Sequence, residues 1–191
     1  MISLPFRRTP QSRKIDALYG MIVAQARSPA FYLGYGVPDT VSARLDMILL
    51  HLVLVLRRIA AAGATAAIGQ PLFDRFCQDI DDNLREMGVG DLAVPKQMRR
   101  VAEGFYGRAK AYDAADDEAG LAAAVARNVY GIANPQPLNT PLGAWRLAAY
   151  MREAALALAR QNATTLARAE LEFPDPEAIP SPDQAVLKPR S

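Results

Sequence analysis

The sequence is poorest in the residues that carry most chemistry. It holds one histidine, His51, and one cysteine, Cys77, in 191 residues. A lone cysteine forbids an intramolecular disulfide and fits a reducing compartment. Zinc needs several Cys or His ligands, so no metal site is expected from these two. One histidine gives no bis-histidine haem site either. His51 lies between Leu50 and Leu52 in an apolar stretch. It reads as a core histidine bonded to a neighbour, with a contact to a partner or haem as the alternative. Cys77 sits on an apolar helical stripe, where a thiol behaves as a small hydrophobe.

An excess charge of one sign is also missing. The formal net charge is +2, from 22 basic and 20 acidic side chains. So balanced a chain offers no broad field for nucleic acid, and no specific nucleic-acid partner is expected. Long apolar runs are missing too. The most apolar one, Met47 to Leu56, is closed by Asp46 and by Arg57-Arg58. It has about ten residues, where a spanning helix needs about 20. The N-terminus carries Phe6-Arg7-Arg8 without an apolar stretch behind it, which does not read as a secretory signal. Gly34-Tyr35-Gly36 and Gly88-Val89-Gly90 lack the further glycines and the preceding strand of a phosphate or dinucleotide loop. No alternating β-branched run predicts a sheet.

What is present is alanine and helical periodicity. Hydrophobic residues make up 51% of the chain, enough for a sizeable core. Apolar residues at spacings of three and four predict a first helix over Arg13 to Arg27, ended by Ser28-Pro29. The aromatic, glycine-rich segment Phe31 to Pro38 reads as a connection. Its aromatics either cap the core or form part of a docking surface. Asp39 is the expected N-cap of a second helix, Thr40 to Ala62, apolar nearly all round and so central. Gly63 and Gly69 bracket a loose linker. A third helix starts at Pro71 and stops at Gly88, placed where a left-handed residue is wanted. A fourth spans about Pro95 to Ala115 and is rich in Lys and Arg. Asp116-Asp117-Glu118 open a fifth, which ends at Tyr130 before Gly131. Asn134 to Pro141 is a proline-marked loop. A last long helix is expected from Leu142 to Leu171.

The expected architecture is all-α, a single-domain bundle of about six helices over residues 13–171. A flexible arm, 1–12, precedes it. A disordered proline-rich tail, 172–191, follows.

The acidic run Asp79-Ile80-Asp81-Asp82, with Glu86 one turn on, is the most enzyme-like feature. Such carboxylates hold Mg²⁺ for a diphosphate substrate when a second cluster faces them. No second cluster is evident here. Arg85, four residues after Asp81, offers an intrahelical ion pair instead. A helical lipid- or quinone-binding protein, or a Mg²⁺-diphosphate enzyme, is therefore the alternative reading. No enzyme activity and no cofactor are expected.

One ordered set of residues is more specific than composition. It comprises Leu84-Arg85-Glu86-Met87-Gly88-Val89-Gly90-Asp91, then Val94-Pro95-Lys96, then Phe105-Tyr106-Gly107-Arg108. Upstream stand Gln25-Ala26-Arg27 with Pro29, Phe31 and Tyr32, then Gly36-Val37-Pro38-Asp39-Thr40, His51, Phe73-Asp74 and Asp79-Ile80-Asp81. This pattern, from about Tyr19 to Tyr112, resembles the ubiquinol–cytochrome c chaperone family. The resemblance implies an all-helical assembly factor for respiratory complex III that binds newly made cytochrome b. It also implies action with a small partner protein and at the ribosome. The lack of a long presequence suggests a bacterial form, cytoplasmic and peripheral at the inner membrane.

A protein that receives a membrane segment needs an apolar or aromatic surface. Candidates are Arg27, Phe31, Tyr32, Tyr35 and His51, and, around the glycine turn, Arg85, Glu86, Asp91, Phe105, Tyr106 and Arg108. The charged residues are expected to lock the Gly88-Val89-Gly90 turn against the fourth helix, with Arg108 as a partner, or to face a polar loop of the client. Lys96, Arg99, Arg100 and Lys110, with Phe6-Arg7-Arg8, are candidates for contact with anionic lipid.

Overall fold

The computed structural model describes residues 9–162, 165, 168 and 170–182, without the side chains of Thr65 and Ala66. Phe6-Arg7-Arg8 and the last nine residues of the expected tail lie outside the described residues. Among the described residues there are helices and no strands.

The bundle is organised around its most apolar segment. Helix α3 runs from Val41 to Ala61, and every residue from Asp46 to Val55 is buried. A helix apolar on all sides has no solvent face to offer, so its neighbours must surround it. They do: α1 (Pro10–Ala26), α5 (Val94–Asp113), α6 (Glu118–Val129) and α7 (Leu142–Arg160) all pack on α3. Helix α4 (Gln70–Glu86) packs on α1 and α5. Helices α4 and α5 thus form a hairpin on the flank of the bundle, and α6 lies along α7.

Several boundaries differ from the sequence reading, each for a local reason. Helix α1 starts three residues earlier, because the Thr9 hydroxyl accepts from the Ser12 N–H at 3.1 Å and Pro10 suits the first turn. The cap of α3 is Thr40, which accepts from the Ala43 N–H at 3.2 Å. Asp39, expected there, instead pairs with Arg44 at 2.5 Å. The aromatic segment is not all loop: Pro29–Leu33 forms the short helix α2. The expected linker between the two glycines carries one π-helical turn, Thr65–Gly69. Asp117 caps α6 through the Gly120 N–H at 2.7 Å, and Gly131 beyond it has φ of 70°.

The largest difference is at the C-terminal end. Helix α7 stops at Arg160, not Leu171, as Gln161 turns to extended backbone. Arg58 of α3 makes that ending possible. Its Nε donates to the Leu158 carbonyl at 2.8 Å and its Nη2 to the Gln161 carbonyl at 2.5 Å. Orphan carbonyls of the last turn thereby find donors. Residues 170–182, with 172–182 expected in a disordered tail and 170 and 171 in the last helix, return as a strap across the bundle. Leu171, Pro176 and Ile179 are buried, and Pro176–Ala178 forms one 3₁₀ turn. The prolines that suggested disorder instead favour the extended course this strap takes.

Candidate functional site

The candidate residues divide into two groups. The first lies at the centre of the molecule. Phe31, Tyr35 and His51 are buried. Phe31 packs edge-on against Tyr35 at 5.3 Å, His51 at 5.6 Å and Tyr150 at 4.9 Å. His51 Nδ1 lies 2.8 Å from the Met47 carbonyl, which can only accept, so that nitrogen carries the proton. Nε2 then accepts from the Tyr150 hydroxyl at 3.0 Å. The Tyr150 oxygen in turn accepts from Gln25 Nε2 at 2.9 Å. Burial pushes the His51 pKa down to about 4, against the smaller opposing effect of the Met47 carbonyl. The ring is therefore a neutral core element at physiological pH. Arg27 is exposed just beyond α1. Tyr32 is half-buried, its hydroxyl donating to the Ala26 carbonyl at 3.1 Å.

The second group builds the α4–α5 hairpin. Helix α4 ends in two nested backbone bonds, Gly88 N–H to the Arg85 carbonyl at 2.9 Å and Val89 N–H to the Leu84 carbonyl at 3.0 Å. This is a Schellman closure, and Gly88 has the left-handed φ of 79° that it demands. Arg85 spans the turn, pairing with Asp81 one helical turn back at 2.6 Å and with Asp91 ahead. Asp81, Arg85 and Asp91 thus tie the turn to the end of α4 and not, as expected, to the fourth predicted helix. Arg108 does not take part. It reaches Asp46 of α3 at 2.5 Å and the Gly104 carbonyl at 3.1 Å, fastening α5 to the central helix.

The fixed turn holds apolar side chains out in water. Met87 is 63% exposed and Leu92 99%. On α5, Tyr106 is 63% exposed. Its ring rests on Phe105 at 5.3 Å and Phe73 at 6.2 Å, while Phe105 is buried. Glu86 and Asp91 are exposed next to Met87 and Leu92 in the chain. The turn end of the hairpin thus carries Met87 and Leu92 among exposed charges, while Tyr106 marks its other end.

Two acids of the run on α4, Asp79 and Asp81, are engaged within the protein. Asp79 accepts from the Tyr19 hydroxyl at 2.8 Å and lies 3.7 Å from Arg75, which also pairs with Asp16 at 2.9 Å. Asp81 belongs to Arg85. No group of three or more Cys, His, Asp or Glu stands ready for a metal among the described residues.

Some structuring residues escaped the sequence reading. Asp46 was seen only as the border of an apolar run, yet it is the buried partner of Arg108. Arg146 of α7 gathers three backbone carbonyls, those of Gly34, Glu177 and Ile179. Gly143 allows α7 to touch the Tyr35 backbone. An acid in an apolar run was the one local signal. The other two depend on contacts made across the chain.

The described residues form an all-helical scaffold whose α4–α5 hairpin presents apolar side chains to solvent. The chain belongs to the ubiquinol-cytochrome C chaperone family, whose model matches residues 34–173. The match therefore begins after α2 and runs through α7 to Phe173, further than the motifs between Tyr19 and Tyr112 indicated. The chain is 29% identical over 131 residues to mouse ubiquinol-cytochrome c reductase complex assembly factor 1, covering 66% of this chain and 44% of that protein. It thus spans less than half the length of this curated relative. Among solved structures it is similar to the crystal structure of the Cbp3 homolog from Brucella abortus. The TM-score is 0.75 with 34% identity, over 89% of this chain and 93% of the other.

Proposed function

We propose that this chain is an assembly chaperone for ubiquinol–cytochrome c reductase, respiratory complex III. Its client is newly made cytochrome b, held by complementary surface with no reaction catalysed. The observation that carries the reading is the α4–α5 hairpin. Met87 and Leu92 stand in solvent on a turn whose backbone Arg85 and Gly88 fix, and Tyr106 stands in solvent at the other end of the hairpin, beside Phe73. Apolar side chains on a rigid frame bind an apolar partner without a large ordering cost. Family membership and likeness to a complex III assembly factor support the choice of client.

The test is photo-crosslinking in living cells from Met87, Leu92 and Tyr106. Cytochrome b is the expected product, and loss of the gene depletes assembled complex III. A small partner protein or the ribosome, if they act with this chain, appear as further products. Crosslinks that never contain a complex III component overturn the proposal.

Peripheral contact with the inner membrane is favoured by one further observation. Lys96, Arg99, Arg100 and Lys110 are all exposed on α5, on the side that turns away from Phe105 and Tyr112. Anionic lipid attracts such residues by about 1 kcal/mol each. Salt-sensitive flotation with anionic liposomes, lost on reversing these four charges, is the expected result. No helix of the described residues is long and apolar enough to cross a membrane.

A further inference from the structure

The strap formed by residues 170–182 is held the way a bound peptide is held. Among the described residues, no backbone–backbone hydrogen bond joins it to the helices it covers. Side chains of the bundle grip its carbonyls instead. Gln25 Nε2 donates to Pro174 at 3.3 Å, the Tyr35 hydroxyl to Pro176 at 2.5 Å, and Arg146 Nε to Ile179 at 2.8 Å. Asp175, at φ −63° and ψ 119°, and Ile179, at φ −78° and ψ 119°, are extended on either side of the 3₁₀ turn Pro176–Ala178. Its floor is aromatic: Phe173 meets the His51 ring at 5.4 Å, and Arg146 stacks on Tyr35 at 4.3 Å.

Extended proline-rich peptides are recognised in this manner. Rings cradle the prolines, while tyrosine and other polar side chains donate to carbonyls that have no partner within the peptide. Little in that grip reads the identity of the strap. It needs free carbonyls and apolar anchors: Leu171, Pro176 and Ile179 are buried, and Phe173 is half-buried against His51. The family match stops at Phe173, so the rest of the strap lies outside the matched span.

We propose that the face built by Gln25, Tyr35, His51, Arg146 and Tyr150 is a peptide-binding groove. Its ligand class is a proline-containing segment with one tight turn, flanked by an aromatic and branched aliphatic anchors. The chain's own residues 170–182 occupy it in cis and shield it until a segment of that chemistry from another protein displaces them. The groove is separate from the α4–α5 hairpin and does not depend on which client the hairpin meets.

Two measurements on the full chain test this. Hydrogen exchange reads the amides of Glu172, Asp175, Glu177 and Ile179 against those of α3. A strap that opens locally exchanges at least tenfold faster than the buried centre of α3. Exchange of the two at one common rate overturns the proposal, because the strap then leaves only on global unfolding. In the second measurement a fluorescent peptide of residues 170–182 is titrated into wild type and into Phe173→Ser/Ile179→Ser. The folded double variant is expected to bind it at least tenfold more tightly than wild type, and not to bind a peptide carrying the same two serines. No binding by the folded variant, or equal binding by both proteins, rejects the groove. If the double variant does not fold, the exchange rates on wild type decide alone.

Discussion

His51 shows how one buried ring links the fold to pH. Unfolded, it has an ordinary imidazole pKa of 6.5; folded, burial lowers this to about 4. Between those values the unfolded chain binds a proton that the folded chain refuses. Stability contributed here is complete above pH 6.5 and is lost as pH falls toward 4. The span corresponds to roughly 3 kcal/mol at its limit. Other groups titrate in the same range, so the comparison is with His51→Gln. Denaturant midpoints at pH 7 and pH 4.5 are expected to fall further for wild type than for the variant; equal falls contradict the assignment. That His51 is a core residue was legible, since leucines flank it. That Tyr150, 99 positions away, would be its partner was not, because local spacing says nothing about contacts at that distance. Gly143 makes the same point sterically. A Cβ there would sit 1.7 Å from the Tyr35 carbonyl oxygen and 2.7 Å from the Tyr130 hydroxyl. Gly143→Ala is expected to destabilise by about 3 kcal/mol, the upper range for overpacking. Gly20→Ala, in α1 with nothing within 4 Å, is expected to stabilise by about 0.5–1 kcal/mol. Chemical denaturation of both variants checks the contrast.

At the scale of elements, the α4–α5 hairpin separates folding from binding. Arg85 and Asp91 are largely solvent-exposed, and exposed ion pairs contribute little to stability. Arg85→Glu is therefore expected to leave the thermal midpoint unchanged. It sets three acids against one another at the turn, so capture of cytochrome b is expected to drop severalfold. A variant that melts early shows the turn to be structural only; one that captures normally removes the turn from the binding surface. Leu92→Ser, at a fully exposed position, makes the complementary test of apolar contact. Most of this hairpin could be read in advance. The apolar stripe of α4, Gly88 at its end and the basic face of α5 are all properties of local spacing. Caps and termini were harder. Asp39 and Thr40 are both good caps, and the choice fell to Thr40 because Arg44 draws Asp39 aside. Alanine-rich sequence past Arg160 has every propensity to continue α7, yet Arg58, from α3, captures its last carbonyls. The site residues divide along the same line. Arg85, Glu86 and Tyr106 are outside as a helical wheel suggests and Asp91 is outside in the turn, whereas Phe31 and Tyr35 are buried by a strap whose packing no local pattern announces.

For the whole molecule the decisive feature is that α3 touches α1, α5, α6 and α7 alike. No pair of helices has a core of its own. The hairpin is joined to that centre through Arg108 and the buried carboxylate of Asp46, and through the Tyr19–Asp79 bond between α1 and α4. Removing Arg108 leaves the buried Asp46 carboxyl, whose pKa burial already raises, without its partner, a change that typically costs about 3–5 kcal/mol, so the hairpin cannot detach cheaply. One cooperative transition follows. Trp145 is the only tryptophan, buried at the start of α7, and reports the bundle centre. Far-UV circular dichroism reports all helices, α4 and α5 included. Urea curves from the two probes are expected to coincide within error. An earlier transition in circular dichroism alone would mean that the hairpin melts while the centre stands. In Arg108→Ala the same pair of curves is the sharper test. The midpoint falls while the curves stay together if Asp46 acts on the entire core, and they part if the ion pair only pins the hairpin down.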